Sequence, residues 1–119
     1  MREHLAPGGV FAYNTTASPD ALYTANAVFP FAFLYDNFAV CSDFDWRDAL
    51  ERPNSYEEVL KVRPLGRTIL TEADRSLVEG FLSRKHSATV ADVASRAGRP
   101  LEIITDRNLI TEYRYGRPY

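Results

Sequence analysis

Apolar positions along this chain change period several times, and each change marks an element. Residues 10–14, "VFAYN", are a short, largely apolar run between a Pro7-Gly8-Gly9 turn and a polar Asn-Thr-Thr loop. That pattern predicts a strand covered on both faces, in the interior of an α/β sheet. Just upstream, His4-Leu5 reads as the last turn of a helix whose body would precede the chain. Downstream, Ser18 is a good N-cap residue, and Pro19 fits the first helical position, where its missing N–H costs nothing. Leu22, Ala25 and Phe29 then recur at helical spacing until Pro30 stops the run. "FAFLY" and "FAVCS" flank Asp36-Asn37, which predicts a hairpin over 31–35 and 38–42.

The second half is more polar and more helical. Asp45 is placed to cap "WRDALER", which Pro53 closes, and Ser55 with Glu58 has capping-box spacing over "YEEVLKV". Thr71 and Asp74 open another capped start, and Leu77, Val78, Phe81 and Leu82 give a stripe that predicts a helix over 72–85. "TVADVASRA" predicts a further short helix that ends at Gly98, a residue suited to the left-handed conformation past a helix C-terminus. The tail carries one β-branched run, Ile103-Ile104-Thr105. There is no internal repeat and no low-complexity tract. These elements predict a sheet of three strands with helices 19–28 and 72–85 packed on it. Phe11, Tyr13, Leu22, Val28, Phe33, Phe38, Val40, Leu77 and Phe81 are the expected core. Residues 1–43 form the sheet part, and residues 44–119 a helical extension and tail packed on the same domain.

Composition narrows the function classes. The 119 residues are 45% hydrophobic and 13% aromatic, which suits one globular domain with a core. A formal net charge of -2 leaves no electrostatic footprint for nucleic acid or anionic membrane. The single cysteine, Cys41, excludes an internal disulfide, and His4 and His86 lack metal-ligand spacing, so no metal site is expected. No apolar run approaches the roughly 18 residues of a membrane span, and no secretory signal pattern opens the chain. A cytoplasmic location is therefore expected.

Taken in order, "REHLAPGG", a strand, a capped helix and a hairpin resemble the C-terminal half of a class I S-adenosylmethionine-dependent methyltransferase fold. There a fifth strand follows a helix ending in a "L-x-P-G-G" turn, and an antiparallel hairpin finishes the sheet. More closely, "HLAPGGVFAYNTTASPDALYTANAVFPFAFLYDNFAVCSD" resembles the spermidine synthase-like group, especially its members fused to a transporter-like half. The likeness lies in a strand ending in "NTT", a "SPDA" helix start, a "VFP" helix end and a "NF…SD" strand. "IITDRNLITEY" is similar to a "TDDN" segment near the end of those proteins, with Arg107 where a second Asp is expected. Residues 44–95 match only in tenor.

The resemblance implies a Rossmann-like fold and a transferase that moves an aminopropyl or methyl group to a small amine, with S-adenosylmethionine or its decarboxylated form as cofactor. It also implies that the cofactor half lies outside this sequence. The only adjacent glycine pair is Gly8-Gly9, and no "G-x-G-x-x-G" follows a strand. No cofactor-binding residue is therefore assigned to this chain, which is expected to be inactive alone and to need an upstream half or to self-associate. Ligands of open α/β sheets sit outside the carboxyl ends of strands, which makes Asn14, Thr15 and Thr16 the candidate substrate-binding residues. The resemblance places Asn14 where related aminopropyltransferases use a Gln. Asp43, leaving the hairpin, is a further candidate, and Asp106 and Asn108 join if the tail folds back. Each has a plainer reading as a loop or solvated turn residue. The family's enclosing "Y-P-S-G" loop is replaced by Tyr35-Asp36-Asn37, which puts polyamine specificity in doubt. A non-enzymatic module dimerising through an exposed sheet edge is the alternative. Residues 88–100 also resemble the first helix and turn of a helix-turn-helix, but Pro100 and a β-branched run stand where a recognition helix belongs. Trp46, Tyr56, Tyr113, Tyr115 and Tyr119 lack the basic groove that a base-stacking surface needs.

Overall fold

The computed structural model describes residues 2–108. The chain divides into two compact units, one running to Asp45 and resuming at Ser87, the other spanning Trp46–His86. The stretch from Ser87 to the last described residue thus joins the sheet unit.

The first unit is mixed α/β. Its elements are β1 (Val10–Asn14), α1 (Pro19–Val28), β2 (Phe31–Tyr35), β3 (Phe38–Ser42), β4 (Ser87–Ala88) and α5 (Val90–Ala97). The four strands form one sheet in the order β1-β3-β2-β4, with every neighbouring pair antiparallel. β1 and β2, joined by α1, therefore run the same way with β3 inserted between them. A two-residue turn joins β2 to β3, since Tyr35 pairs with Phe38. Asp36 takes a φ of 55° in that turn, a left-handed conformation that Asp tolerates.

Side chains alternate across a pleated sheet, and the register decides which set α1 covers. Phe11 and Ala32 both pair with Cys41, and Tyr13 and Leu34 both pair with Ala39. These six share one face, and there Ala32, Ala39 and Cys41 meet Leu22, Ala25 and Phe29 of α1 and Val93 of α5 in the core. Phe11 stacks on Phe29 at 6.2 Å between ring centroids, and the Tyr13 hydroxyl donates to the Ala21 carbonyl of α1 at 2.6 Å. Small side chains on the central strands let the helix approach the sheet.

The expected core is corrected in part. Leu22 is buried, but Phe38, Val28, Leu77 and Phe81 are exposed, and Phe33 and Val40 lie on the opposite face of the sheet from Cys41. β2 and β3 are apolar at both parities, and there the larger side chains suggested the wrong one, whereas Phe11 and Tyr13 of β1 pack against the core as expected. β1 is likewise not covered on both faces: Val10, Ala12 and Asn14 are exposed, and β1 is an edge strand. The residues ahead of the Pro-Gly-Gly turn form a single 3-10 turn, Arg2–His4.

The helix that packs against α1 is α5. Its Thr89–Asp92 capping box and its left-handed Gly98 end, with φ 65°, follow the sequence signals. Beyond Gly98 the backbone is irregular but tied to α1: the Glu102 N–H donates to Asp20 Oδ1 at 2.7 Å and the Ile104 N–H to Thr24 Oγ1 at 2.8 Å.

The second unit contains α2 (Arg47–Leu50), α3 (Ser55–Lys61) and α4 (Arg75–Phe81). The predicted helix over 72–85 is shorter than expected. Its Thr71–Asp74 capping box opens a 3-10 turn, Glu72–Asp74, and α4 ends at Phe81, with Leu82 as C-cap at a ψ of 63°. Gly80 weakens that last turn. The Ser55–Glu58 box is also replaced: Ser55 lies inside α3, and its hydroxyl donates to the Ala49 and Arg52 carbonyls at 2.6 and 2.8 Å. Arg75 organises this unit. Its guanidinium lies 3.9 Å from the Tyr56 ring centroid and pairs with Glu57, Glu72 and Glu79. Buried Trp46 and Tyr56 do not form a stacking surface, and Tyr113, Tyr115 and Tyr119 lie outside the described residues.

Candidate functional site

The carboxyl end of β1 leads into a strained loop. Thr16 and Ala17 take consecutive positive φ values of 52° and 62°, a conformation that costs non-glycine residues free energy and persists only where surrounding bonds impose it. Those bonds are present. Asn14 Oδ1 accepts from the Thr16 N–H at 2.8 Å, and the Ser18 N–H donates to the Thr15 carbonyl at 2.8 Å. The Asn37 carbonyl in the hairpin turn accepts from both the Thr15 N–H at 2.8 Å and the Thr15 hydroxyl at 3.0 Å. Buried Thr15 thus clasps the loop to the β2–β3 turn.

Beside this loop lies an open cleft of about 640 Å³, a size that suits a small molecule. Thr15 and Ser18 line it from the loop, Asp36 and Asn37 from the turn, and Arg96 and Arg99 from the end of α5 and just beyond. Cleft, loop and α1 N-terminus meet at the carboxyl end of β1.

The candidates from the sequence separate into three places. Asn14, Thr15 and Thr16 stand together at this end of β1. Asp43 does not join them: Asn14 pairs with Phe38 and Val10 with Ser42, so Asp43 lies past the other end of β1, on the order of 17 Å from Asn14 by strand rise. There its carboxylate pairs with Arg2 at 2.9 Å, and both side chains are about half exposed. Asn108 closes a local turn, accepting from the Thr105 hydroxyl at 3.0 Å and donating to the Ile103 carbonyl at 2.8 Å. Asp106 is exposed in that same turn.

Sequence reasoning missed the residue that ties this region together. Asp20, in the first turn of α1, is fully buried. Both of its oxygens accept from the Arg99 guanidinium, with Nη1 at 3.0 Å, and Oδ1 also accepts the Glu102 N–H. Burial opposes ionisation of this carboxyl. The Arg99 and amide hydrogen bonds outweigh it and hold the pKa below the usual aspartate value. No local spacing signals a pair separated by 79 residues. Ser18 occupies the N-cap position that the sequence predicts, yet its side chain makes no capping hydrogen bond. Cys41, a buried titratable group of the same unit, sits in the core, where burial pushes its thiol up to about 11.

Among the described residues no group of acidic, histidine and cysteine side chains is arranged to hold a metal, and no helix is long and apolar enough to cross a membrane. After α5 the described chain runs on without the second helix that a helix-turn-helix requires. No family model, curated protein or solved structure matches this chain.

Proposed function

We propose that this chain is the substrate side of a transferase with the Rossmann-like S-adenosylmethionine fold, similar to the spermidine synthase-like group. In this reading it transfers an aminopropyl or methyl group to an amine only when a cofactor-binding half is present. The observation that carries this reading is the β1–α1–β2 unit with β3 inserted antiparallel between its strands. It is what a last parallel strand followed by a terminal hairpin should form, and it sets the Asn14–Thr16 loop beside a cleft. The loop's tight bonding supports a role in orienting a ligand, because positioning supplies much of the rate in group transfer.

The residues of this chain do not fit the cofactor itself. Among the side chains lining the cleft Asp36 is the one carboxylate, beside Arg96 and Arg99, and the nearby Asp20 carboxylate is closed off by Arg99, which leaves a positively charged sulfonium little acidic surface to face. The hairpin turn is only Asp36-Asn37, so a plain polyamine lacks the enclosing loop that the resemblance would supply. Calorimetric titration of the 119-residue chain with S-adenosylmethionine and with its decarboxylated form tests the division of labour. No heat of binding is expected, and stoichiometric binding by the chain alone would overturn the proposal.

One observation favours a second reading, a module that dimerises without catalysis. β1 is an edge strand with exposed Val10, and among the described residues nothing pairs with its outer side. Such an edge templates pairing with another chain.

A further inference from the structure

We propose that the cleft at the N-terminus of α1 is a binding site for a small oxyanion, a phosphate or carboxylate group on a small molecule, with Ser18 and Arg96 as its side-chain donors. Ser18 is 2% exposed, lines the cleft, and its hydroxyl oxygen has no hydrogen-bond partner among the described residues. Leaving a buried hydroxyl unpaired is costly unless something else uses it. An N-cap serine ordinarily turns its oxygen back onto an amide of the first turn, and this one does not.

The helix end at the cleft favours negative charge. α1 has 10 residues, so its first-turn amides present the positive end of a helix dipole. Asp20 lies in that turn, but its charge is matched by Arg99. Arg96 hydrogen-bonds through Nε to the Asp92 carbonyl at 3.1 Å, while its terminal nitrogens make no hydrogen bond among the described residues. Asp36 on the turn is the single carboxylate lining the cleft; with Arg99 matched by Asp20 it stands against Arg96, whose charge also acts on Asp92. A guanidinium fork and a hydroxyl donor at a helix N-terminus suit the planar or tetrahedral oxygens of an oxyanion. This is the cleft that the transferase reading uses, but oxyanion binding there does not depend on that reading; if both hold, the acceptor amine also carries an acidic group.

Amide NMR titration of the full chain with inorganic phosphate, with acetate, and with chloride at matched ionic strength tests the site. Saturable shifts are expected at Ala21, Leu22 and the Ser18 loop, with phosphate or acetate but not chloride. Whichever oxyanion saturates identifies the group. Ser18→Ala and Arg96→Gln should each weaken binding about tenfold, the effect of losing a hydrogen bond to a charged group. Ser18→Ala should keep or raise Tm, because it removes an unpaired buried hydroxyl, whereas loss of an ordinary cap would lower it. No saturable response to either oxyanion overturns the proposal. So does a response unchanged in both folded variants, or a lowered Tm in Ser18→Ala with affinity intact.

Discussion

Asp20 joins sequence-distant parts of the first unit through Arg99 and the Glu102 amide. With its pKa held down by Arg99 and the Glu102 amide, it binds fewer protons folded than unfolded. Its contribution to stability is therefore full above the unfolded aspartate value, about 4, and is lost as pH falls through the lower folded value. Chemical denaturation between pH 7 and pH 2 should show this acid loss, and Asp20→Asn should flatten the profile. Asp20→Ala leaves Arg99 without its carboxylate and should cost about 3 kcal/mol. Cys41 gives a second prediction at this scale. It is fully buried with a raised pKa, so an alkylating reagent should label it at the rate of global unfolding. Rapid labelling of the native protein would contradict the packing described. Neither residue's partners were legible in the sequence, because the Asp20–Arg99 contact is made only once α5 and the tail lie along α1.

At the scale of elements, punctuation made most boundaries readable. Pro-Gly-Gly, Ser18-Pro19, Pro30 and Asp36-Asn37 delimit β1, α1, β2 and β3 at the residues expected, because each stop is a local property of the backbone. Coverage is not local. The continuous apolar run of β1 was compatible with a strand buried on both sides, and its place at the edge depends on β3 inserting beside it. The same holds for the core parity, where Ala32, Ala39 and Cys41 face α1 in place of the larger Phe33 and Val40. β4 is two residues long and left no periodic signal. The Thr15 clasp predicts that Thr15→Val, which removes the hydroxyl bond to the Asn37 carbonyl, lowers stability by about 1 kcal/mol in urea titration. The open edge of β1 carries its own prediction. If the dimerising reading holds, light scattering at micromolar concentration reports a dimer, and Val10→Lys returns it to a monomer. A monomeric parent chain would remove that reading.

For the whole molecule, the sequence made the first unit's mixed α/β character legible, and left the substrate chemistry open. The loop at the end of β1 was found because strand ends are where such folds bind ligands. The cleft's arginines were not, since they come from a segment that sequence order keeps far from β1. Asp43 showed the reverse error: adjacency at the end of a strand suggested a shared site, and antiparallel pairing carried it to the other end of the sheet. The central claim is a division of labour between this chain and a cofactor-binding half. Its most direct test is a radiolabel transfer assay of the chain mixed with the cofactor half of a spermidine synthase-like enzyme, using amine acceptors with and without an acidic group. Label should transfer only when both parts are present, and should fall at least tenfold with Asn14→Ala, the order expected when a loop that positions substrate is loosened. No transfer from the folded mixture, or transfer unchanged by Asn14→Ala, would contradict the account.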